Sequence, residues 1–230
     1  MKTVAIIVAG GRGIRFGGEI PKQFRNIQNR PLLSWTISQF EKAERVDEIV
    51  VVVPEDYLLY ANEKIINPYS FRKISKIVIG GDSRRESVLN GLKSVPISTA
   101  YVAIHDGARP LILHSDIDRV IDQAHKDRAA ILARPVPDTI KRVEGEFIIS
   151  TLDRTKLFLA ETPQVFQYDL IMSAHLSAAG TEATDDSYLV ELLGFKVRTV
   201  LPKKMNPKIT TEDDLVLARF ILSREDEARN

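Results

Sequence analysis

The sequence contains no cysteine, which excludes disulfides, thiolate catalysis and cysteine-bound metals and fits a reducing, cytoplasmic location. It also has no excess of charge of one sign: 32 lysines and arginines balance 31 aspartates and glutamates, which gives a formal net charge of +1. Because no overall field attracts the chain to nucleic acid or to an anionic membrane, we expect neither as a partner. Binding that depends on charge must therefore be local.

Long hydrophobic runs are missing as well, because no apolar stretch approaches the roughly 20 residues that span a bilayer. The N-terminal "MKTVAIIVAGG" has one lysine and a short apolar run without a small-residue cleavage site. We interpret it as a strand and not as a signal peptide. Repeats and low-complexity tracts are also absent. A chain of 230 residues, 44% of them apolar, can bury a proper core, and we predict a single domain over residues 1–230.

Short apolar runs alternate with longer amphipathic segments along the chain. The runs lack polar alternation, which is typical of strands that are buried on both faces of a parallel sheet. They are "TVAIIVA" (3–9), "EIVVVV" (48–53), "KIVI" (76–79), "YVAI" (101–104) and "AAILA" (129–133). Their alternation with helices predicts an α/β sandwich with right-handed crossover connections.

Several helix starts are marked by residues that suit the free backbone amides of a first turn. Pro31 fits a first helical position, and a hydroxyl followed three residues later by a carboxylate fits a capping box. The predicted capping pairs are Ser83 with Glu86, Ser115 with Asp118 and Thr211 with Asp214.

The alternation of strands and helices breaks after Ala133. "TIKRV" and "FIIST", joined by "EGE", predict a β-hairpin with Gly145 in its turn, inserted at about residues 134–157. A lone hairpin is too small to be stable. This arm therefore needs a partner surface, either from its own domain or from another subunit.

The loop after the first strand, "VAGGRGIRFGGEIPKQ" (8–23), is rich in glycine but fails both common phosphate motifs. A dinucleotide fingerprint requires a third glycine where Phe16 stands. The spacing of a P-loop is met, but Glu19 and Ile20 replace the lysine and the hydroxyl residue that should follow.

The remaining pattern predicts a polyphosphate cradle, at the sheet edge where open α/β sheets bind ligands. Backbone amides from Gly10 to Gly13 would surround phosphate oxygens, while Arg15 and Lys22 neutralise their charge. The alternative is a flexible surface loop whose basic residues are simply solvated. We favour the cradle because the glycines and a Pro-Lys pair directly follow a buried strand.

Asp106, in "AIHDGARP", ends the fourth predicted strand on the same edge of the sheet. One carboxylate that faces a phosphate cradle suits Mg²⁺, which fills its remaining positions with water and phosphate oxygens. The alternative is an aspartate that stabilises the turn. Arg109 can equally contact a phosphate or brace the turn. We interpret His105 as a packed or hydrogen-bonded structural residue, because the four histidines show no metal-binding spacing.

The other candidates carry less information by themselves. Gly81 and Asp82 indicate either close approach of the backbone to a base or ribose, or only a tight connection between a strand and a helix. Ser87 lies one turn into that helix, within reach of a ligand. Lys208 and Arg154 are most simply solvated surface cations.

Six motifs, taken in order, carry a resemblance to a known family. They are "VAGGRGIRF…PKQ", "GGDSRRESV", "HDGARP", "PVPDTIKRV", "DRTKLFLAETPQ" and "NPKITTEDDL". The first resembles the signature of sugar-phosphate nucleotidyltransferases, and the whole set, over about residues 3–222, is similar to the 2-C-methyl-D-erythritol 4-phosphate cytidylyltransferases. This resemblance implies a Rossmann-like three-layer α/β sandwich with a mostly parallel sheet and a projecting β-hairpin arm. It also implies a homodimer in which the two arms embrace.

The implied reaction joins CTP to methylerythritol phosphate and releases pyrophosphate, with Mg²⁺ or another divalent cation. The residues implied to hold the CTP phosphates are Ala9, Gly10, Gly11, Gly13 and the catalytic cations Arg15 and Lys22. Those implied on the cytidine side are Gly81, Asp82 and Ser87. Those implied near the metal and the sugar phosphate are Asp106, which binds the metal, and Arg109, Thr139, Arg154, Thr162, Thr184 and Lys208. Thr139 and Arg154 would come from the arm of the partner subunit.

A phosphate monoester is already anionic at neutral pH, so it can attack the α-phosphorus of CTP in line without a catalytic base. Two alternatives remain. Ribitol 5-phosphate or another alditol phosphate could be the acceptor, although "DRTKLFLAETPQ" and "DTIKRV" favour methylerythritol phosphate. A non-catalytic nucleotide-binding regulatory module is the second, but Arg15, Lys22 and Asp106 argue against it, because a sensor need not retain transition-state cations.

Overall fold

The computed structural model describes residues 1–11, 21–178 and 183–227 of the chain. Within these ranges the strands are β1 (Thr3–Val8), β2 (Asn26–Ile27), β3 (Arg30–Pro31), β4 (Glu48–Val53), β5 (Ile74–Ile79), β6 (Tyr101–Asp106), β7 (Ala129–Pro135), β8 (Lys141–Glu144), β9 (Phe147–Thr151), β10 (Phe158–Gln167) and β11 (Arg198–Val200). The α-helices are α1 (Leu32–Lys42), α2 (Leu58–Tyr60), α3 (Arg84–Ser94), α4 (His114–Asp127), α5 (Tyr168–Ser177), α6 (Asp186–Leu192) and α7 (Glu212–Glu227). None of the described helices is long and apolar enough to cross a membrane.

The centre of the molecule is a sheet with the strand order β11-β7-β10-β6-β1-β4-β5. Its neighbours pair in parallel except for β10, which runs antiparallel to both β6 and β7. The five apolar runs that the sequence predicts as buried strands form β1, β4, β5, β6 and β7. The prediction of an α/β fold with a mostly parallel sheet is therefore confirmed.

The sheet is covered on both faces because its apolar strands alternate their side chains between two cores. Ala5 and Ile7 of β1 belong to the core under α1 and α4. Val4 and Ile6 of the same strand belong to the core under α3, α5 and α6. Since side chains of a strand point to opposite faces in turn, one strand contributes to both cores, which gives the three-layer arrangement.

Strand β10 is an element that the sequence analysis does not predict. Its central position conflicts with Pro163, since proline cannot donate to a strand ladder. The structure resolves the conflict with a shift in the pairing to β7 between Ala160 and Gln164. Pro163 falls within this irregular stretch, where no regular ladder bond is required of it.

The predicted helix starts meet different outcomes. Ser83 and Glu86 form a complete capping box at the start of α3, and Thr211 and Asp214 exchange hydrogen bonds between side chain and amide before α7. Pro31 lies one residue before α1.

The prediction for Ser115 and Asp118 is wrong: α4 begins at His114 without a side-chain cap, and the carboxylate of Asp118 instead accepts a hydrogen bond from the amide of Arg45.

The predicted hairpin forms a separate two-stranded sheet of β8 and β9. Gly145 occupies the turn with φ +58°, a left-handed conformation that glycine adopts without strain. Every residue of both strands is exposed. The arm therefore lacks a core of its own in the single chain.

A third apolar cluster fixes the C-terminal segment to the loop after β6. It joins Leu215 and Ala218 of α7 to Ala108 and Leu111. The amide of Ile209 also donates to the carbonyl of Ala108 at 2.9 Å. Residues just before α7 are thereby held beside the carboxyl end of β6.

Candidate active site

A cleft of about 850 Å³ opens at the carboxyl ends of β1, β4, β5 and β6. This is the edge at which open α/β sheets bind their ligands. The predicted site residues that line it are Ala9, Gly10, Gly11, Lys22, Gly81, Asp82, Ser87, Asp106, Thr184 and Lys208. The fold thus brings together residues from six separate parts of the sequence.

The described part of the glycine-rich loop is fixed by a glutamine that the sequence analysis overlooks. The side-chain amide of Gln23 is buried and donates to the carbonyls of Ala9 at 2.7 Å and Gly11 at 2.8 Å. These bonds hold the start of the loop against the short helical turn that begins at Lys22. The predicted cradle residues Gly13 and Arg15 lie outside the described residues.

Gly10 is required by a close approach of the loop to α3. A Cβ atom at this position would lie 2.7 Å from the Oγ of Ser87, closer than ordinary non-bonded contact. The same hydroxyl accepts a hydrogen bond from the amide of Gly81 at 3.1 Å. Ser87 thus bonds to the connection between β5 and α3 and packs closely against Gly10.

The connection between β5 and α3 is tight, as one of the two interpretations of its glycines predicts, and it also lines the cleft. A Cβ at Gly81 would lie 2.4 Å from the Cβ of Glu86. The carboxylate of Glu86 accepts from the amide of Asp82 at 2.8 Å. Whether Gly81 and Asp82 contact a nucleotide stays a prediction.

The carboxylate of Asp106 is surrounded by three cations. Its oxygens lie 3.1 Å from Nε of Arg84, 3.0 Å from Nζ of Lys208 and 3.5 Å from Nε of Arg109. Burial alone would raise the pKa of Asp106, but the positive charges of Arg84, Lys208 and Arg109 lower it well below its usual range. Asp106 is therefore ionised at neutral pH.

Arg84 is a member of this site that the sequence analysis does not identify. It is the first residue of α3 and lines the cleft. Although burial opposes its charge, Asp186 and Asp106 raise the pKa of Arg84 above its already high value. The motif "SRRESV" contains two adjacent arginines, and only the orientation of α3 shows which of them faces the sheet edge.

Arg109 braces the turn after β6, which was one of its two predicted roles. Its Nη1 donates to the carbonyl of Asn206 at 2.7 Å, and its Nε approaches Asp106. Together with the bond from Ile209 to Ala108, this contact connects the β6 turn to the segment that carries Lys208. A role of Arg109 toward a substrate stays a prediction.

His105 is a buried structural residue, as the sequence predicts. Its Nδ1 accepts from the hydroxyl of Thr162 at 3.0 Å, and its Nε2 donates to the carbonyl of Arg109 at 3.2 Å. Burial lowers the pKa of His105 to about 3, so its imidazole is neutral. The hydroxyl of Thr162 accepts in turn from the amide of Asp106 at 3.1 Å, which places Thr162 behind the cleft wall.

Two predicted substrate residues lie on the arm and are not among the described lining residues of the cleft. Thr139 is exposed, and Arg154 is exposed with its guanidinium donating to the carbonyl of Pro137. Within one chain, the structure therefore does not bring these two residues to Asp106.

Comparisons with known proteins identify the family of the chain. The family model of the 2-C-methyl-D-erythritol 4-phosphate cytidylyltransferases matches residues 3–224. Proteins of that name from Desulforamulus reducens and Syntrophus aciditrophicus are 44% and 43% identical to the chain, over 96% and 98% of it and 96% and 97% of their own lengths.

Solved structures give the same result. A 4-diphosphocytidyl-2C-methyl-D-erythritol synthase from Anaerococcus prevotii superposes with a TM-score of 0.84 at 29% identity, covering 96% of this chain and 98% of that one. The 2-C-methyl-D-erythritol 4-phosphate cytidylyltransferase from Thermus thermophilus superposes with a TM-score of 0.77 at 33% identity, covering 96% and 98%. The chain belongs to the 2-C-methyl-D-erythritol 4-phosphate cytidylyltransferase family.

Proposed function

We propose that the cleft beside Asp106 is where this cytidylyltransferase transfers a cytidylyl group from CTP to 2-C-methyl-D-erythritol 4-phosphate, a step of isoprenoid biosynthesis, and releases pyrophosphate. The observation that carries the assignment is the meeting of the glycine-rich loop, Lys22 and Asp106 at one sheet edge. Such an edge supplies backbone amides and cations for a triphosphate.

The reaction needs no catalytic base from the protein. The acceptor phosphate has a second pKa near 6 and is itself the nucleophile, which attacks the α-phosphorus as pyrophosphate leaves on the opposite side. The neutral, buried imidazole of His105 is consistent with a reaction that uses no catalytic base, because both of its nitrogens already have partners within the protein.

The main task of the protein is to bring two anions together and to stabilise the charge of the crowded transition state. Lys22 and Gly11 both line the cleft. We assign to Lys22, and to Arg15 as predicted from the sequence, the neutralisation of charge at the α-phosphate and on the departing pyrophosphate. Ala9, Gly10, Gly11 and Gly13 supply the phosphate cradle, while Gly81, Asp82 and Ser87 form the cytidine side.

A divalent cation such as Mg²⁺ fits this cleft when it arrives with the triphosphate. The ionised oxygens of Asp106 are hard donors of the kind that Mg²⁺ prefers. No cluster of three metal-binding side chains occurs among the described residues, so most other ligands must be phosphate oxygens and water. When bound, the cation would neutralise the triphosphate and polarise its phosphorus. Asp106 would hold the cation at the end of β6, and Lys208 contacts the same carboxylate.

In this proposal, the part of the site that binds the acceptor is complete only in a dimer. Arg109, Thr162, Thr184 and Lys208 belong to the same chain as Asp106. Thr139 and Arg154 belong to the arm and would reach the cleft of the partner subunit.

The arm itself supports a homodimer. It exposes a row of large apolar side chains, among them Phe147, which is 78% exposed, and Ile148, which is 63% exposed. An isolated hairpin with such a surface gains stability only when another surface covers it. A second copy of the chain, whose own arm has the same need, provides that surface symmetrically.

A cytoplasmic location completes the proposal. The cysteine-free sequence fits the reducing conditions there. Cell fractionation with an antibody to the native protein tests this assignment.

Pyrophosphate release measured with each of the four nucleoside triphosphates, against methylerythritol phosphate and ribitol 5-phosphate, tests the activity. We expect turnover with CTP and methylerythritol phosphate only. Preference for ribitol 5-phosphate would assign a different acceptor. Tight CTP binding without turnover on either acceptor would indicate the non-catalytic nucleotide-binding module.

A further inference from the structure

The guanidinium of Arg84 lies between two carboxylates that belong to different layers of the fold. Its Nε is 3.1 Å from Oδ1 of Asp106, and its Nη2 is 2.8 Å from Oδ2 of Asp186. Asp106 lines the cleft, whereas Asp186 begins α6 and its side chain is only 1% exposed. One arginine therefore connects the cleft to a buried anchor.

The anchor is held firmly from several directions. The second oxygen of Asp186 lies 3.1 Å from Nε2 of the buried His175. The amide of Asp186 donates to the side-chain carbonyl of Gln164 at 3.1 Å, and the amide of Ser187 donates to the same oxygen at 2.9 Å. Because its surroundings fix Asp186, they also fix the position of Arg84.

The other two cations around Asp106 are held differently. Lys208 approaches Oδ2 at 3.0 Å, but its side chain is 38% exposed and its four-carbon stem is flexible. Arg109 lies at 3.5 Å from the same oxygen and makes its shorter bond, at 2.7 Å, to the carbonyl of Asn206. Among the described cations that contact Asp106, Arg84 is the one with a second, buried carboxylate.

We propose that Arg84 is a positioning residue, which Asp186 anchors and which orients the carboxylate of Asp106 toward a divalent cation bound with CTP. By holding Oδ1, Arg84 leaves Oδ2 to Lys208 and to the more distant Arg109. A metal can displace the partly exposed Lys208 more easily than an arginine that a second carboxylate fixes. This inference rests on the proposed function, since it requires CTP and a metal in the cleft.

The geometry explains why an arginine stands here. A guanidinium presents separate donors along two directions and can bridge two carboxylates, whereas an ammonium is a single point of charge. A lysine at position 84 would pair with one of the two carboxylates and lose the contact with the other.

The structure also offers a matched control in the next residue. Arg85 lies on the same turn of α3 and donates to the carbonyl of His175 at 2.6 Å. It is not among the described residues that line the cleft. Replacing Arg85 removes the same charge from the same turn without touching the Asp106 contact.

The test measures how much a metal strengthens CTP binding. The Kd of CTP is determined by calorimetry with Mg²⁺ and again with EDTA. The ratio of the Kd in EDTA to the Kd in Mg²⁺ measures how much the metal strengthens CTP binding. The variants are Arg84→Lys, the double variant Arg84→Gln/Asp186→Asn and the control Arg85→Gln. The double variant removes both charges together, so no buried carboxylate is left unpaired, and circular dichroism checks each fold.

We expect the ratio to fall at least tenfold in the double variant, to fall in Arg84→Lys, and to stay at the native value in Arg85→Gln. Crystal structures of the Arg84 variants should show the Asp106 carboxylate turned from its native orientation. An unchanged or higher ratio in the Arg84 variants would overturn the proposal, as would an equal loss in Arg85→Gln.

Failure of the proposed function gives a different result. If the native protein releases no pyrophosphate from CTP, the proposed function is wrong whatever the binding ratios are. If it turns over CTP but Mg²⁺ leaves CTP binding by the native protein unchanged, Asp106 is not a metal-positioning group and the role assigned to Arg84 is wrong by itself.

Discussion

Val8 and Asp106 lie opposite each other as the last paired residues of the parallel strands β1 and β6. The amide of Gly107 then donates to the carbonyl of Val8 at 2.9 Å. The glycine-rich loop that leaves β1 and the carboxylate that ends β6 therefore start from the same point on the sheet edge. This register explains why two motifs nearly a hundred residues apart in the sequence build one cleft.

Lys22→Ala should lower kcat at least about a hundredfold, because losing one preorganised group that stabilises transition-state charge costs on the order of 3 kcal/mol. Steady-state pyrophosphate release measures the effect, and circular dichroism checks the fold. Lys93→Ala, which removes an exposed lysine from α3, is the control. A kcat within a factor of a few of the native value would disprove the catalytic role of Lys22.

Arg154→Ala should raise the KM for the sugar phosphate more than the KM for CTP, because Arg154 is assigned to the acceptor. If the arm acts in the partner subunit, mixing this variant with Lys22→Ala should regenerate activity. Each mixed dimer then has one site with both defects and one with neither, so random pairing restores about a quarter of the native sites.

Activity after subunit exchange is compared with that of each variant alone. The assay uses a sugar-phosphate concentration well below the KM of Arg154→Ala, where both variants have low activity. Mixtures no more active than the average of their components would place Arg154 in the same chain's site or outside the site. A larger rise in the KM for CTP would assign Arg154 to the nucleotide.

Phe147→Asp should convert the proposed dimer to monomers and lower activity, because a charge in a buried apolar interface loses its solvation. The exposure of Phe147 in the single chain means that the monomer fold should survive. Phe220→Asp, which changes a 59% exposed phenylalanine on α7, is the matched control. Sedimentation velocity measures the association state; a dimer that persists in Phe147→Asp would argue against the arm as the interface.

The stability of the fold should decrease as the pH falls from about 6.5 to about 3, partly because of His105. In the unfolded chain His105 titrates near a pKa of about 6.5, whereas in the folded protein burial lowers its pKa to about 3. Between these values the unfolded state binds more protons, so this one group gives a limiting slope of about 1.4 kcal/mol per pH unit.

Denaturant unfolding of the native protein and of His105→Gln over this pH range tests the assignment. The variant keeps a donor for the carbonyl of Arg109, and we expect a shallower dependence of its unfolding free energy on pH. Equal slopes for the two proteins would show that His105 does not titrate differently in the folded and unfolded states.

Among the described residues of the site, some could be identified from the sequence and others could not. Asp106 stands out in the sequence because it ends a predicted buried strand, and Lys22 because it follows the glycine-rich run after β1. Arg84 and Gln23 do not, because an arginine at a helix start and a glutamine after a lysine have many ordinary roles. Their importance arises from contacts with Asp106 and with the carbonyls of Ala9 and Gly11, which the sequence does not display.

The sequence by itself determined the buried parallel strands, the capping box of α3, the hairpin turn at Gly145 and the family. These features depend on neighbouring residues, since apolar runs, turn glycines and hydroxyl–carboxylate pairs act over a few positions. The tertiary structure decided the placement of β10 in the sheet, the enclosure of His105 and the bridge from Asp106 through Arg84 to Asp186. Each of these joins residues that are far apart in the chain, and only packing against the sheet selects such pairs from the many that the sequence permits.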